Sequence, residues 1–333
     1  MNQHPFVVFM KGLRDAPPEQ QVGFLFLILF GLLMIGSAIT AVSATKERDT
    51  REHQRFNAFL RDLRAVWVAS ILFWLAWVWG PVGATLLAGA VSFIALREFI
   101  TLTHTTHADH RSLILAFFIT LPLQYLLVEQ RRFDLFSVFI PVYVFFTVPV
   151  LGALAGDPRR FLECTAKIQW GITVCVYGLS HAPALLLLDF PRYEGRGAFL
   201  VFFLVFVVGV AQIAYEALSR RLRRRPVARQ ISRSFSWRAL WLGTFTAGLT
   251  GMLMFWITPF KPGQALVLGA VAGFTGLFGD FVVKALKRDA GVRRWGPRAS
   301  ITGAVGLLDR VAAICFAAPV FFHSVRWYFK LAV

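Results

Sequence analysis

Long apolar runs restrict the folds open to this chain more than any other feature. A stretch of about 18 apolar residues can cross the roughly 30 Å hydrocarbon core of a bilayer, and the chain has about ten segments of, or close to, this length. Hydrophobic residues make up 57% of its 333 positions, too many for a water-soluble domain of this size. The sequence therefore predicts an all-α, polytopic integral membrane protein with about ten transmembrane helices.

Short polar loops separate the predicted spans, and a Gly80-Pro81 turn divides what would otherwise be one overlong apolar run. The spans are predicted at about residues 22–45, 65–79, 82–96, 112–128, 135–155, 168–190, 198–216, 239–258, 263–284 and 304–323. No polar segment is long enough to bury a core of its own. Any chemistry is therefore expected in or beside the bilayer.

The formal net charge of +17 is distributed unevenly along the chain. Five alternate loops carry 25 of the 35 Lys and Arg residues, which by the positive-inside rule places these loops in the cytoplasm and both termini outside. This distribution favours a multi-pass protein of the inner (cytoplasmic) membrane over a nucleic-acid-binding protein, so the expected partner is the lipid bilayer.

Four ionisable residues, Asp280, Lys284, Asp309 and Arg310, lie within or at the ends of the last two apolar segments. A charge there costs several kcal/mol unless it is paired or hydrated, so these residues are functional candidates. Asp280, Lys284 and Lys287 share one helix face. The alternative is a structural Asp280–Lys284 pair with lysines that reach the membrane surface.

The segment that follows, residues 287–296, combines basic side chains with glycines. Lys287, Arg288, Arg293 and Arg294 can donate to phosphate oxygens, and glycine lets the backbone approach a ligand closely. The segment is therefore a candidate phosphate site. An ordinary basic cytoplasmic loop with an interfacial tryptophan is the alternative.

Several stretches of the chain match one family pattern. The K-R-D-A-G-V of residues 287–292 and the L-D-R of residues 308–310 match a signature that runs roughly S-x-x-K-R-x-x-G-V-K-D-x-G, then H-G-G-x-x-D-R-x-D. The C-F-A-A-P-V-F-F of residues 315–322, L-R-E-F of 96–99 and A-K-I-Q-W-G of 166–171 also match. The chain resembles the phosphatidate cytidylyltransferases, or CDP-diacylglycerol synthases, and on this basis divides into an N-terminal membrane region, 1–160, and a cytidylyltransferase-like membrane region, 161–333.

The sequence also departs from the family pattern. Lys284 stands at the signature's serine, Arg293-Arg294 at its K-D pair, and Ala312 at its last aspartate. The central S-P-x-K-T-x-E-G element corresponds to residues 232–239, which keep Ser232 and lose the proline, lysine and glutamate.

The resemblance implies CDP-diacylglycerol and pyrophosphate formation from phosphatidate and CTP in phospholipid biosynthesis, with Mg²⁺ and a homodimer. It assigns catalytic roles to Asp309, Arg310, Lys287 and Arg288, phosphate binding to Lys284, Arg293, Arg294 and Ser232, and metal binding to Asp280 and Asp309. A second metal would lack the ligand lost at Ala312, so Ala312→Asp is expected to raise activity.

Two other functions stay open at this point. The departures favour a catalytically inactive family member that binds lipid or a partner. The intramembrane charges would also suit a transporter or scramblase that uses them as a path for lipid head groups.

Overall fold

A computed structural model describes residues 17–44, 50–103, 109–188, 190, 196–222, 227–232, 235–291 and 306–331. These residues form ten helical rods, and none of them is in a strand. The rods are α1 (Pro18–Ala44), α2 (Thr50–Val78), α3 (Gly80–Leu102), α4 (His110–Glu129), α5 (Phe133–Leu154), α6 (161–186), α7 (Gly197–Arg221), α8 (Trp237–Leu253), α9 (Pro262–Asp289) and α10 (Leu307–Tyr328).

Each predicted span falls on one of these rods, and the all-α membrane fold is confirmed. Among the described residues, seven helices are long and apolar enough to cross a membrane: those in α1, α3, α4, α5, α7, α9 and α10. The second predicted span, 65–79, is the apolar C-terminal part of a longer helix, because α2 begins at Thr50. Residues 50–64 are rich in charged residues but contain no glycine or proline, so the helix continues through them.

The contacts divide the chain into two units, residues 1–87 and 88–333. In the first unit α1 packs on α2, where Phe26 and Phe73 lie 5.7 Å apart between ring centroids. The indole N–H of Trp67 donates to the Ser37 hydroxyl at 3.0 Å. The predicted division near residue 160 stays a prediction.

In the second unit, small residues let the helices of the C-terminal half approach closely. A Cβ added at Gly251 of α8 would lie 2.5 Å from the Ala265 carbonyl oxygen of α9, and one at Gly269 would lie 3.0 Å from the Ala247 carbonyl oxygen. Helices inside a bilayer associate largely through such close van der Waals packing. The absence of side chains at these glycines therefore allows the backbones of α8 and α9 to pack in direct contact.

Polar groups and a close approach also join α6 to α10. The middle of α6, Ile172–Gly178, is π-helical, and the Ser92 hydroxyl of α3 donates to its Cys175 carbonyl at 2.8 Å. The imidazoles of His181 on α6 and His323 on α10 lie 3.3 Å apart between Nε2 atoms. The first contact joins α3 to α6, and the second joins α6 to α10.

Gly178→Ala is expected to lower the melting temperature of the protein in detergent. A Cβ at this position would lie 2.3 Å from the Cys315 carbonyl oxygen, so α6 and α10 would have to separate. We expect a loss of about 1–3 kcal/mol, as for other overpacked sites. Gly209→Ala on α7 is the matched control, since its Cβ meets nothing within 4 Å. Equal melting temperatures for the two variants would contradict the close approach.

Candidate functional site at the junction of α9 and α10

An ion pair joins the last turn of α9 to the first turn of α10. The Lys287 ammonium contacts the Asp309 carboxylate, and the two side chains are 14% and 31% exposed. Water therefore reaches the pair only in part. Two residues that the sequence assigned to catalysis meet here, although the segment between their helices lies outside the described residues.

The second predicted metal ligand is paired within its own helix. The Lys284 ammonium donates to the Asp280 carboxylate at 2.5 Å, four residues apart on α9. This is the structural pair that the helix spacing allowed. Asp280 lies nearly two turns before Lys287, about 10 Å along the helix axis, so each predicted metal ligand contacts a different lysine.

The predicted phosphate contacts at Arg288 and Ser232 belong to neighbouring segments. The Arg288 Nε–H donates to the Ile231 carbonyl at 3.4 Å, and the adjacent Ser232 is buried. Phe235 stacks on Phe281 of α9 with ring centroids 4.1 Å apart. The described residues of the central element therefore lie beside the C-terminal end of α9. Ser232 would have to lie there to bind the same phosphate as Arg288.

Of the three remaining arginines that were predicted to belong to the site, the structure describes only Arg310. Arg310 follows Asp309 in the first turn of α10 and is exposed. Arg293 and Arg294 lie outside the described residues, so their predicted phosphate contacts stay predictions.

Glu98 is a residue of this junction that the sequence did not single out as a site. It lies near the end of α3 and is only 3% exposed. Its Oε2 accepts a hydrogen bond of 2.9 Å from the backbone N–H of Leu308, which precedes Asp309. The signal in the sequence was a single acidic residue in the L-R-E-F stretch at the end of an apolar span.

The residues present supply the hard oxygen ligands that Mg²⁺ prefers, but few of them. Within the described part of the chain, no group of three His, Cys, Asp or Glu side chains is arranged to hold a metal. Mg²⁺ needs only one or two protein carboxylates when substrate phosphates and water complete its shell. Asp309 fits that limited role at the junction, whereas Asp280 lies about two turns away along α9 and would have to leave Lys284 to share the same ion.

Comparisons with known proteins show the family of this chain. The model of the cytidylyltransferase family matches residues 59–328, which include the junction and the central element. The uncharacterized protein YnbB of Escherichia coli (strain K12) is 35% identical over 267 residues, covering 80% of this chain and 86% of the relative. The family resemblance inferred from the signature is confirmed.

Proposed function

Because the chain belongs to the cytidylyltransferase family, we propose that it transfers the cytidylyl group of CTP to phosphatidate. Family membership supports CTP-dependent transferase activity in a membrane protein. The lipid substrate, the product CDP-diacylglycerol and a role in phospholipid biosynthesis are our extension. The Lys287–Asp309 contact carries the proposal, because it places a cation and a carboxylate where two membrane helices end.

In the proposed reaction a phosphate oxygen of phosphatidate attacks the α-phosphorus of CTP. A new P–O bond forms, the bond to the bridging oxygen of the β-phosphate breaks, and pyrophosphate leaves. The nucleophile is already anionic at neutral pH, so the protein need not supply a strong base. Catalysis can rest on positioning the substrates and on neutralising the crowded phosphate charge.

The residues of the junction would share this work. Lys287 and Arg288 would bind phosphate oxygens, and Lys284 and Ser232 would extend that site along α9. Asp309, and Asp280 once released from Lys284, would hold Mg²⁺ together with the phosphates, and the ion would supply further charge neutralisation when bound. The arrival of phosphates would give Lys287 a second anionic partner besides Asp309.

We place this site at the cytoplasmic face of the inner membrane and expect a homodimer. The concentration of basic residues in alternate loops supports the orientation. Soluble CTP and an inner-leaflet lipid would then both reach the junction.

The proposal predicts a labelled lipid product. Purified protein incubated with phosphatidate, Mg²⁺ and CTP labelled in its α-phosphate is expected to give chloroform-soluble label and an equal amount of pyrophosphate. CTP labelled in the γ-phosphate is the matched control, because its label should stay in water. Absence of product, while an active family member succeeds in the same assay, would remove the transferase proposal.

A non-catalytic family member that binds lipid or a partner is the second candidate. One observation favours it: both expected metal ligands already contact lysines, so their charge is neutralised without a metal. If label does not enter lipid but phosphatidate vesicles still bind the protein, this candidate is favoured over the enzyme.

A further inference from the structure

The first turn of α10 lacks a cap from its own sequence. The residue before the helix is Gly306, at a φ of +77°, and it has no side chain to accept a hydrogen bond from the turn. The first backbone N–H groups of any helix have no partner within the helix. The turn that carries Asp309 and Arg310 therefore depends on an acceptor from elsewhere for its Leu308 N–H.

Glu98 supplies that acceptor from α3, 210 residues away in the sequence. Its carboxylate receives the Leu308 N–H at 2.9 Å in a buried setting. Hydrogen bonds to an ionised acceptor are shorter and stronger than neutral ones, and the positive end of the helix dipole favours a carboxylate.

The surroundings of Glu98 hold it in place. Its neighbours Leu96 and Phe99 are at most 1% exposed and belong to the same buried cluster as Leu308 and Ala312 of α10. A carboxylate buried among such side chains is costly unless hydrogen bonds satisfy it. The contact with α10 offsets that cost and ties the end of α3 to the turn before Asp309.

We propose that Glu98 is a positioning residue, which accepts the Leu308 N–H and so holds the first turn of α10 with Asp309 against Lys287. Glu98 acts through the backbone and need not touch a substrate. The catalytic part of this inference rests on the proposed function, whereas the part that concerns the helix turn does not.

Two substitutions of Glu98 test separately its role as a hydrogen-bond acceptor and the role of its negative charge. Glu98→Gln keeps an oxygen that can accept the hydrogen bond, whereas Glu98→Met has a similar volume and no such acceptor. Gln124→Met is the matched control, because Gln124 is also fully buried and donates to Ser180 of α6, in a contact outside the junction.

Hydrogen exchange of the full-length protein in detergent measures the turn directly. We expect the backbone amides at the start of α10 to exchange about tenfold faster in Glu98→Met than in the parent protein, and to stay within about threefold of it in Glu98→Gln and Gln124→Met. Exchange in Glu98→Met equal to that in Gln124→Met would overturn the proposal, whether or not the protein is a transferase.

The transferase assay gives the second measurement. Glu98→Met is expected to lower kcat about tenfold, and Glu98→Gln to recover most of it, because small displacements of a reacting group are costly. If both variants lose the same activity, the negative charge matters rather than the hydrogen bond, and the positioning role is wrong. If the parent protein makes no product, the proposed function fails and the exchange result alone decides the role of Glu98.

Discussion

Asp309→Asn is expected to lower Mg²⁺-dependent nucleotide binding at least about tenfold, equivalent to about 1.4 kcal/mol. Asparagine keeps the size of the side chain and part of its hydrogen bonding, but removes the charge that Mg²⁺ requires. The side chain is 31% exposed and lies in the first turn of α10. The variant should therefore insert and accumulate as the parent protein does.

Nucleotide binding is measured with a fluorescent CTP analogue, with and without Mg²⁺, and product formation is followed in parallel. Asp289→Asn is the matched control, because Asp289 is an exposed acid at the end of α9. Unchanged binding in Asp309→Asn, or no Mg²⁺-dependent binding by the parent protein, would remove the metal site from the proposal.

A charge exchange tests whether the Lys287–Asp309 contact is only structural. The double variant Lys287→Asp with Asp309→Lys keeps an ion pair between α9 and α10. We expect it to recover the stability that either single reversal loses, and to recover none of the activity. Activity restored by the exchange would mean that the pair joins the helices and does no chemistry.

The sequence predicted the fold well because its strongest signal, the length of the apolar runs, reflects a direct physical requirement of the bilayer. It predicted helix bounds less well where a helix begins before its apolar span. Residues 50–64 lengthen α2 with large apolar residues on one face only, at Phe56, Phe59, Leu60 and Leu63, so their mean hydropathy is too low to mark them as part of a span.

The candidate site was predictable only where its contacts are local. The Asp280–Lys284 pair follows from helical spacing, and its formation was one of the two alternatives. The contact between Lys287 and Asp309 spans two helices, and the family signature grouped these residues without giving their geometry. Glu98 was missed because its partner is a backbone N–H, which leaves no mark in the sequence.

The largest revision concerns Ala312, where the sequence led us to expect that an aspartate would raise activity. Ala312 is fully buried and belongs to the apolar cluster that contains Leu96, Phe99 and Leu308. It lies one turn after Leu308, and the two side chains share one face of α10. A carboxylate added there would be buried among apolar side chains.

We therefore expect Ala312→Asp to destabilise the protein by about 3 kcal/mol or more and to lower its accumulation in the membrane. Ala312→Ser is the matched control, because a serine hydroxyl can donate to the carbonyl one turn earlier and carries no charge. Melting temperatures in detergent measure the difference, together with product formation by whatever protein accumulates. A stable and more active Ala312→Asp protein would restore the view that this position lacks only a metal ligand.

The double variant Glu98→Gln with Ala312→Asp distinguishes the two sources of this destabilisation. If repulsion between buried carboxylates contributes, neutralising Glu98 should recover part of the loss, and the two changes together should cost less than their sum. If desolvation of the new aspartate is the whole cause, the costs should add. Recovery would also mean that Glu98 lies close enough to position 312 for the two carboxylates to interact.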